Sequence, residues 1–333
     1  MIIAAFNVKR LGLTKVNRPH VLRYLIKIMS RYSVVVILEV VDKNRRAIKK
    51  LEKELNKDSS NRNRPYSMIS SSELGRSSYK ERFVCFYREG DVTLKKSHQY
   101  EDNQVGDEDA FAREPLLLHF SCPSTLVKDL VLIPVHTKPR DTKKELDELH
   151  DVVVAVQKNW KTTKIMILGD FNADGCYLSQ KKKKKLRISS APYHWLIDDD
   201  VDTTTSNCND HTYDRIVVYG KLVLDAVVPG SAKAFNFQRE FNLTDEETQS
   251  ISDHYPVEVE LKTNQKSQRR KQAALHRTTK TTSTNRRTPK NGPQKKNRKK
   301  AELAPPQKKK NIGGKRKRES SSETPAKRPR YNK

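Results

Sequence analysis

The first chemical feature of the sequence is a carboxylate and an amide that follow a short apolar run. Residues 165–168 are typical of a buried strand, and Gly169 breaks the run just before Asp170 and Asn172. Residues two apart on an extended backbone point the same way, so we expect the Asp170 and Asn172 side chains to point together. Such a pair can bind a phosphate, a water or a hard cation. An ordinary polar turn after a strand would look the same, so this segment needs support from elsewhere in the chain.

Four other apolar runs end in the same kind of polar residue. These residues are Asn7, Glu39, His136 and the pair Asp253 and His254. Layered α/β enzymes collect such side chains at strand ends. The set suits phosphodiester hydrolysis, because carboxylates such as Glu39 and Asp170 bind Mg²⁺ and an imidazole beside a carboxylate can take or give a proton. Asn7 and Asn172 can donate hydrogen bonds to phosphoryl oxygens where charge develops.

The elements that must position these residues alternate along the chain as in a layered α/β domain. Apolar runs predict strands near residues 2–6, 33–38, 83–87, 116–120, 130–135, 165–168, 213–219 and 256–261. Amphipathic stripes predict helices near 19–31, 47–55 and 146–160, and residues 57–78 and 101–115 are predicted as loops. The strand–helix–strand order over 130–168 favours a parallel pair with a right-handed crossover. Asp214 shares a strand face with Ile216 and Val218, which predicts a buried carboxylate that has a partner.

Charge divides the chain of 333 residues into two parts. The net charge is +27, and residues 263–333 hold 25 Lys and Arg against 3 Asp and Glu, which leaves 42 and 37 in residues 1–262. The segment 263–333 has one aromatic residue and few aliphatic ones, so we predict a disordered Lys/Arg-rich tail. Residues 1–262 are enough for one α/β domain with a sizeable core.

Targeting signals and cysteines restrict the class of protein only partly. No run approaches the ~20 apolar residues of a membrane span, and the first residues read as a strand rather than a signal peptide. Four cysteines are too few for a disulfide-dense scaffold. An intracellular protein and a sequence that begins at a clipped or mature start both remain open.

Eight short motifs, in this order along the chain, resemble those of the deoxyribonuclease I family. They are Phe6-Asn7-Val8, Leu38-Glu39-Val40, Tyr79-Lys80-Glu81, Arg113-Glu114-Pro115, Pro-Val-His-Thr-Lys-Pro at 134–139, Gly169-Asp170-Phe171-Asn172, Tyr-Asp-Arg-Ile-Val at 213–217 and Ser-Asp-His-Tyr-Pro at 252–256. The resemblance covers about residues 2–262. Within the family, segments 235–238 and 243–247 and the basic tail look most like the deoxyribonuclease gamma branch.

The resemblance implies a fold and a reaction. The fold is a four-layer αββα sandwich of two mixed sheets, as in the endonuclease/exonuclease/phosphatase proteins. The reaction is cleavage of double-stranded DNA by a monomer that depends on a divalent cation, with Mg²⁺ and Ca²⁺ as the expected ions. It implies that residues 1–262 form the endonuclease domain.

The resemblance also assigns roles to individual residues. It implies two histidine–carboxylate pairs, Glu81 with His136 and Asp214 with His254. Glu39 would hold the cation, with Asp170 and Asp253 nearby. Asn7 and Asn172 would grip the scissile phosphate, and Lys9 keeps a basic residue near the first of them. Arg113 would contact the DNA backbone, and Tyr79 would lie against a deoxyribose in the minor groove.

Some positions depart from the family pattern. Leu38 stands where the family has an amide or methionine, and Val41 replaces a cation that enters the minor groove, with Arg45 and Arg46 as candidates to substitute for it. Cys176 and Cys208 match a family disulfide, and two free thiols in a reducing compartment is the competing interpretation. The usual signal peptide is not in this sequence.

Two basic segments suggest partners for the chain. The lysine run 181–185 is either a contact to the DNA backbone or a solvated loop. Clusters at 315–318 and 327–330 are typical of nuclear localisation or nucleic-acid binding, and a secreted nuclease that engages chromatin or lipid-coated DNA is the alternative. The same fold hosts phosphatases of inositol lipids and sphingomyelin, and a catalytically inactive DNA-binding protein is a third reading.

Overall fold

A computed structural model describes residues 1–102, 109–208 and 210–264. Twelve strands form two six-stranded sheets. The first sheet has the order β11-β12-β1-β2-β4-β3 and the second has the order β5-β6-β7-β8-β10-β9. The strands are β1 (Ile2–Leu11), β2 (Val34–Val40), β3 (Tyr66–Ser70), β4 (Arg82–Arg88), β5 (Thr93–Gln99), β6 (Leu116–Cys122), β7 (Lys128–His136), β8 (Ile165–Asp170), β9 (Tyr193–Trp195), β10 (Asp214–Tyr219), β11 (Lys233–Ala234) and β12 (Val257–Glu260).

Most helices lie on the outer faces of the two sheets, whereas the short helix Gly220–Ala226 packs Val223 and Ala226 into the apolar layer between the sheets. The helices are α1 (Leu13–Val16), α2 (Pro19–Met29), α3 (Arg46–Lys57), α4 (Thr142–Trp160), α5 (Gln180–Lys183), α6 (Gly220–Ala226), α7 (Phe237–Phe241) and α8 (Asp245–Ile251), with a 3₁₀ turn at Arg187–Ser189. Among the described residues, no helix combines the length and the apolar character that a membrane span needs.

Three apolar clusters separate four layers. The central cluster lies between the sheets and joins residues such as Val36 and Phe83 to Leu132 and Leu168. A second cluster packs the outer face of the first sheet against α2 and α3, and a third packs the second sheet against α4. The central strands thus send alternate side chains into two cores, which explains the continuous apolar runs in the sequence. The predicted αββα sandwich is confirmed.

The predicted parallel pairing over residues 130–168 is confirmed as well, and it brings site residues together. β7 pairs in parallel with β8, so that His136 lies beside Asp170. Gly169 has a φ of +140°, and a Cβ atom there would come within 2.1 Å of the Val135 carbonyl oxygen. Only glycine fits this close approach of the two strands.

Several sequence-based boundaries are wrong. The segment 57–78, predicted as a loop, contains β3, whose alternation is hidden by Ser67 and Ser70. β1 does not end at Asn7 but continues through a bulge to Leu11, where it resumes pairing with β2. At the other end, the described contacts reach two residues beyond Lys262, because Thr263 bridges to Thr125 and the Asn264 backbone N–H donates to the Ser124 carbonyl. The boundary between the domain and the tail stays a prediction. The tail from residue 265 onward lies outside the described residues, as do the predictions made for it.

Candidate active site

Two histidine–carboxylate pairs stand at one edge of the sandwich. His136 Nδ1 lies 2.5 Å from Glu81 Oε1, and His254 Nδ1 lies 2.7 Å from Asp214 Oδ2. Glu81 directly precedes β4 in the first sheet, and His136 ends β7 in the second sheet. Asp214 begins β10 in the second sheet, and His254 stands just before β12 in the first. Each pair therefore takes one member from each sheet. The first sheet supplies the carboxylate of one pair and the histidine of the other.

Asp170 lies between the two pairs. It is flanked in register by His136 on β7 and by Asp214 on β10. Its Oδ2 atom is 3.6 Å from His136 Nε2 and 3.9 Å from His254 Nε2. Each imidazole thus contacts its own carboxylate partner through Nδ1, and the Nε2 atoms of both face the same oxygen of Asp170.

Asn7 connects this carboxylate to Glu39. The fully buried Asn7 side chain donates from Nδ2 to Glu39 Oε1 and to Asp170 Oδ2, at 3.0 Å each. Its Oδ1 accepts the Lys9 N–H at 3.0 Å, which fixes the orientation of the amide. Glu39 uses its other oxygen, Oε2, to accept the Arg10 N–H at 3.1 Å.

Backbone strain concentrates around these contacts. Lys9, Arg10 and Glu39 have φ values of 23°, 54° and 54°, in the left-handed region that non-glycine residues rarely adopt. The bulge between Asn7 and Leu11 shifts the register against β2 at this point. Strained positions of this kind persist where surrounding contacts over-determine them, and they are common at functional sites.

The backbone after Asp170 is not extended, so the expectation that Asp170 and Asn172 point together by strand alternation is wrong. Asn172 has a φ of 47°, and its N–H donates to Asp170 Oδ1 at 3.0 Å. Its side-chain Nδ2 donates to the Thr137 carbonyl at 3.0 Å. Hydrogen bonds from the backbone and side chain, rather than strand geometry, place Asn172 in the turn beside His136.

Arg113 and Tyr79 lie near the first pair. Arg113 forms an ion pair with Glu81 Oε1 and donates from Nη1 to the His136 carbonyl at 3.2 Å, and its side chain is only 14% exposed. Tyr79 is 37% exposed at the rim. Partial burial of its ring, together with the nearby charges of Glu39 and Glu81, raises its pKa to about 12. The predicted DNA contact of Arg113 stays a prediction, but its present contacts are to the pair itself.

Lys9 and Asp253 lie beside the second pair. Lys9 Nζ is 2.7 Å from Asp253 Oδ2, and Asp253 Oδ1 is 3.9 Å from His254 Nε2. Burial lowers the pKa of His254, but Asp214, Asp170 and Asp253 outweigh it and raise that pKa to about 10. Burial likewise opposes the charged form of His136, whereas Glu81 and Asp170 raise its pKa and Arg113 acts against them.

The carboxylates at this edge fit a divalent cation. Glu39 and Asp170 each bring an oxygen to Asn7, and Mg²⁺ is bound in proteins by one or two carboxylates together with waters. Among the described residues, one group has ligand atoms within 4.8 Å of one another, namely Asp170, Asp214 and His254. Of the predicted metal residues, only Asp170 belongs to that group. Glu39 reaches Asp170 through the Asn7 amide, and Asp253 is held by Lys9.

The two cysteines that match the family disulfide are not bonded in the structure. Cys176 and Cys208 are both exposed free thiols. The pairing is therefore not observed, and it stays a prediction. Cys85, by contrast, is a fully buried core residue on β4, as its apolar surroundings in the sequence indicate.

The half-buried Lys15 and the buried Glu145 support the site and were not predicted. Lys15 Nζ donates to the carbonyls of Val8, Lys9 and Ile251 at 3.1, 2.6 and 2.9 Å. Glu145 accepts the backbone N–H groups of Lys138 and Ala112. Each residue looks like an ordinary helix charge in the sequence, and only the fold shows that their partners are main-chain atoms beside the site.

The protein-family comparison gives one match, the Endonuclease/Exonuclease/phosphatase family, over residues 4–254. Among curated proteins, human deoxyribonuclease-1-like 1 is 44% identical over 265 residues, which cover 79% of this chain and 85% of that protein. Rabbit (Oryctolagus cuniculus) deoxyribonuclease-1 is 42% identical, with 78% and 92% covered. Human deoxyribonuclease gamma is 39% identical, with 79% and 87% covered, so overall identity does not single out the gamma branch.

Solved structures agree on the fold. The human nocturnin catalytic domain superposes with a TM-score of 0.56 at 14% identity, covering 79% of this chain and 94% of that chain. D. rerio TDP2, humanised by 14 mutations, gives 0.52 at 15% identity, covering 78% and 97%. The curated relatives and the family match together show that the chain belongs to the endonuclease/exonuclease/phosphatase family and, within it, to the deoxyribonuclease I family.

Proposed function

We propose that this protein is a divalent-metal-dependent endonuclease that hydrolyses the phosphodiester bonds of double-stranded DNA. One observation carries the proposal. The Nε2 atoms of His136 and His254 both approach Asp170 Oδ2, and each imidazole has a carboxylate at Nδ1. Two such pairs around one point allow one imidazole to accept a proton while the other donates one. The names of the relatives support DNA as the substrate.

In the proposed reaction, the neutral imidazole of one pair takes a proton from water, whose oxygen bonds to phosphorus. The charged imidazole of the other pair gives a proton to the leaving oxygen as its bond to phosphorus breaks. Glu81 and Asp214 orient the rings and stabilise their charged forms. Which histidine has which role is set by the direction in which the strand binds.

Glu39 and Asp170 are the proposed residues that hold the cation, with Asp253 nearby. Bound there, Mg²⁺ or Ca²⁺ would polarise a phosphoryl oxygen and neutralise charge that develops on it. Asn7 and Asn172 are proposed to donate hydrogen bonds to the same phosphate. Lys9, Arg113 and Tyr79 are the proposed contacts to the flanking DNA.

A plasmid-nicking assay tests this proposal. Supercoiled plasmid is incubated with the full chain and Mg²⁺, with or without Ca²⁺, and with EDTA, and the nicked form is measured. We expect nicking that needs the cation. An inositol phosphate and sphingomyelin are offered in parallel, because the same fold serves phosphatases of these substrates. Metal-dependent release of phosphate or phosphocholine without nicking would replace the proposal, and DNA binding without turnover would indicate an inactive member.

The tail of residues 263–333 is proposed to serve chromatin or lipid-coated DNA rather than catalysis. All candidate catalytic residues precede residue 262, and the tail carries most of the net charge. A chain that ends near residue 262 should keep its turnover on naked plasmid and lose activity on chromatin, and the loss should shrink as salt rises. Loss of plasmid cleavage at every salt concentration would contradict this division.

We also propose that Cys176 and Cys208 pair in an oxidising compartment, and that the protein acts as a monomer. Closing the loop between these cysteines would contribute about 3–4 kcal/mol to stability on the chain-entropy estimate. Peptide mapping without reductant should find the linked peptides in secreted material. Two alkylatable thiols there would contradict the pairing, and light scattering tests the monomer.

A further inference from the structure

The helix α3 has an apolar face and a cationic face. Its buried residues are Ala47, Ile48, Leu51 and Leu55, which pack under the first sheet. The opposite face carries exposed cations four residues apart, namely Arg45, Lys49, Lys53 and Lys57, and we name these four the α3 cationic row. Side chains four apart on a helix lie one above the other, so the row is a continuous line of positive charge.

The helix by itself is not stabilised by this arrangement. Like charges at i and i+4 repel each other, and cations at a helix N-terminus oppose its dipole. The first turn of α3 contains no acidic residue. Lys57 pairs with Glu54, but Arg45, Lys49 and Lys53 form no ion pair with any of the described residues. Glu52 and Glu54 offset part of the repulsion among the lysines, and a polyanion laid along the row would relieve the rest.

The row begins next to the candidate active site. The Asp42 carboxylate accepts the backbone N–H groups of Arg46 and Ile48, at 3.1 and 3.0 Å, and so fixes the start of α3. Asp42 follows Glu39 by three residues. Glu39 also holds the Arg10 backbone N–H, and the exposed Arg10 side chain is close enough to Tyr79 to affect its pKa. Arg10 therefore extends the positive charge to the rim of the site.

We propose that the α3 cationic row, with Arg10 at its end near the site, binds the phosphate backbone of duplex DNA outside the nucleotides being cleaved. The inference rests on the proposed function, which it deepens. The twelve residues of α3, Arg46–Lys57, span about 18 Å, the length of roughly five base pairs. Three of the four cations are lysines, whose point charges suit a contact that does not depend on sequence.

The test compares two double variants with the same net charge. Lys49→Gln with Lys53→Gln removes the middle of the row and relieves repulsion, so the fold should be retained. Lys95→Gln with Lys158→Gln removes two exposed lysines from β5 and α4, on the other side of the sandwich. Both are assayed in the full chain on plasmid and on a DNA hairpin with a six-base-pair stem, over a range of salt concentrations.

We expect the row variant to raise KM on plasmid about five- to tenfold at low salt, with kcat unchanged. The slope of log(kcat/KM) against log[salt] should become shallower by about 2, because each lost phosphate contact contributes about 0.9. The six-base-pair stem is about 20 Å long, which is too short to fill both the site and the row, so its KM should not change. The control variant should stay close to wild type on both substrates.

Three results would overturn the inference. Equal changes in the row and control variants would mean that only bulk charge matters, and no change in the row variant would mean a solvated surface. Unchanged plasmid kinetics with lost binding to phosphatidylserine-containing vesicles would assign the row to a lipid surface instead. Gel-shift binding of plasmid fragments in EDTA is measured in parallel. DNA binding that depends on the row, without any nuclease activity, would contradict the proposed function but not the proposed role of the row in DNA binding.

Discussion

The two histidine–carboxylate pairs have the same contact geometry but different surroundings. In the first pair, Glu81 is shared between His136 and the Arg113 guanidinium. In the second pair, the fully buried Asp214 contacts His254, and among the described contacts no arginine forms an ion pair with the Asp214 carboxylate. The first carboxylate is thus balanced by a permanent cation, whereas the second depends on the proton of His254.

The support behind each pair differs in charge as well. The loops that carry His136 and Arg113 are joined by the buried carboxylate of Glu145, which accepts N–H groups from both. The segment that carries His254 is joined to the β1 bulge by the buried ammonium of Lys15 and by Ser252 Oγ, which donates to the Asn7 carbonyl at 2.6 Å. The carboxylate of Glu145 thus positions the half of the site that contains His136, and the ammonium of Lys15 positions the half that contains His254. The two halves can be disturbed separately.

The largest expected effect is the loss of either imidazole. His136→Ala and His254→Ala should each lower the plasmid-nicking rate by about 10²–10⁴ with the fold intact, because each removes a proton acceptor or donor from the reacting atoms. The double variant should cost little more than the more severe single one, since the two imidazoles act as a unit. Circular dichroism verifies folding. Near-normal nicking by a folded His136→Ala protein would refute the assignment.

Removing Arg113 should affect the first pair alone. In Arg113→Met, the Glu81 carboxylate loses its permanent counter-charge, and we expect kcat to fall about tenfold or more with a smaller change in KM. The pKa of His136 should rise, because Arg113 acts against the raised value in the wild-type protein. NMR titration of the His136 ring measures this shift directly. A large rise in KM with unchanged kcat would instead favour the predicted contact of Arg113 to DNA.

The sequence predicts the parts of this comparison that depend on apolar patterns and motif order. The motifs that resemble the deoxyribonuclease I family imply both histidine–carboxylate pairs and the two-sheet architecture, and strand alternation predicts the buried carboxylate at Asp214. Periodicity could not find β5, since its Lys95, Lys96 and His98 lie on an exposed edge where no apolar pattern is required. It also misplaced Asn172, because a left-handed turn carries no pattern that differs from a strand end.

The supporting contacts of Lys15 and Glu145 could not be predicted from the sequence, for a different reason. Lys15 and Glu145 contact main-chain carbonyl and N–H groups, and every residue offers such groups regardless of its type. The contacts of Lys15 and Glu145 therefore depend on no particular partner residue that the sequence could reveal. The ion pair between Arg113 and Glu81 was missed likewise, because its partners are 32 residues apart and meet only when both sheets are assembled.

Neutralising Glu145 should change stability in a defined pH window. Burial raises the pKa of Glu145 to about 7, from an ordinary value of 4.5. The folded state then holds a proton that the unfolded state releases between these values, so this residue lowers wild-type stability as pH rises from 4.5 to 7. Glu145→Gln should gain up to about 3 kcal/mol relative to wild type between pH 5 and pH 8 in urea unfolding. A constant difference across this range would show that Glu145 does not titrate as inferred.

Lys15 should show the opposite slope in a higher pH window. Burial lowers the Lys15 pKa from 10.5 to about 8. Between these values the unfolded state binds the proton and the folded state does not, so wild-type stability rises with pH.

Lys15→Met has no such titration, and relative to wild type it should lose about 2 kcal/mol between pH 8 and pH 10. The exposed Lys49→Met serves as a control with the same chemical change on the neighbouring helix α3. If Lys15→Met followed the Lys49→Met control across both windows, the Lys15 ammonium would not be buried in solution. The two halves of the site would then not be held by opposite charges.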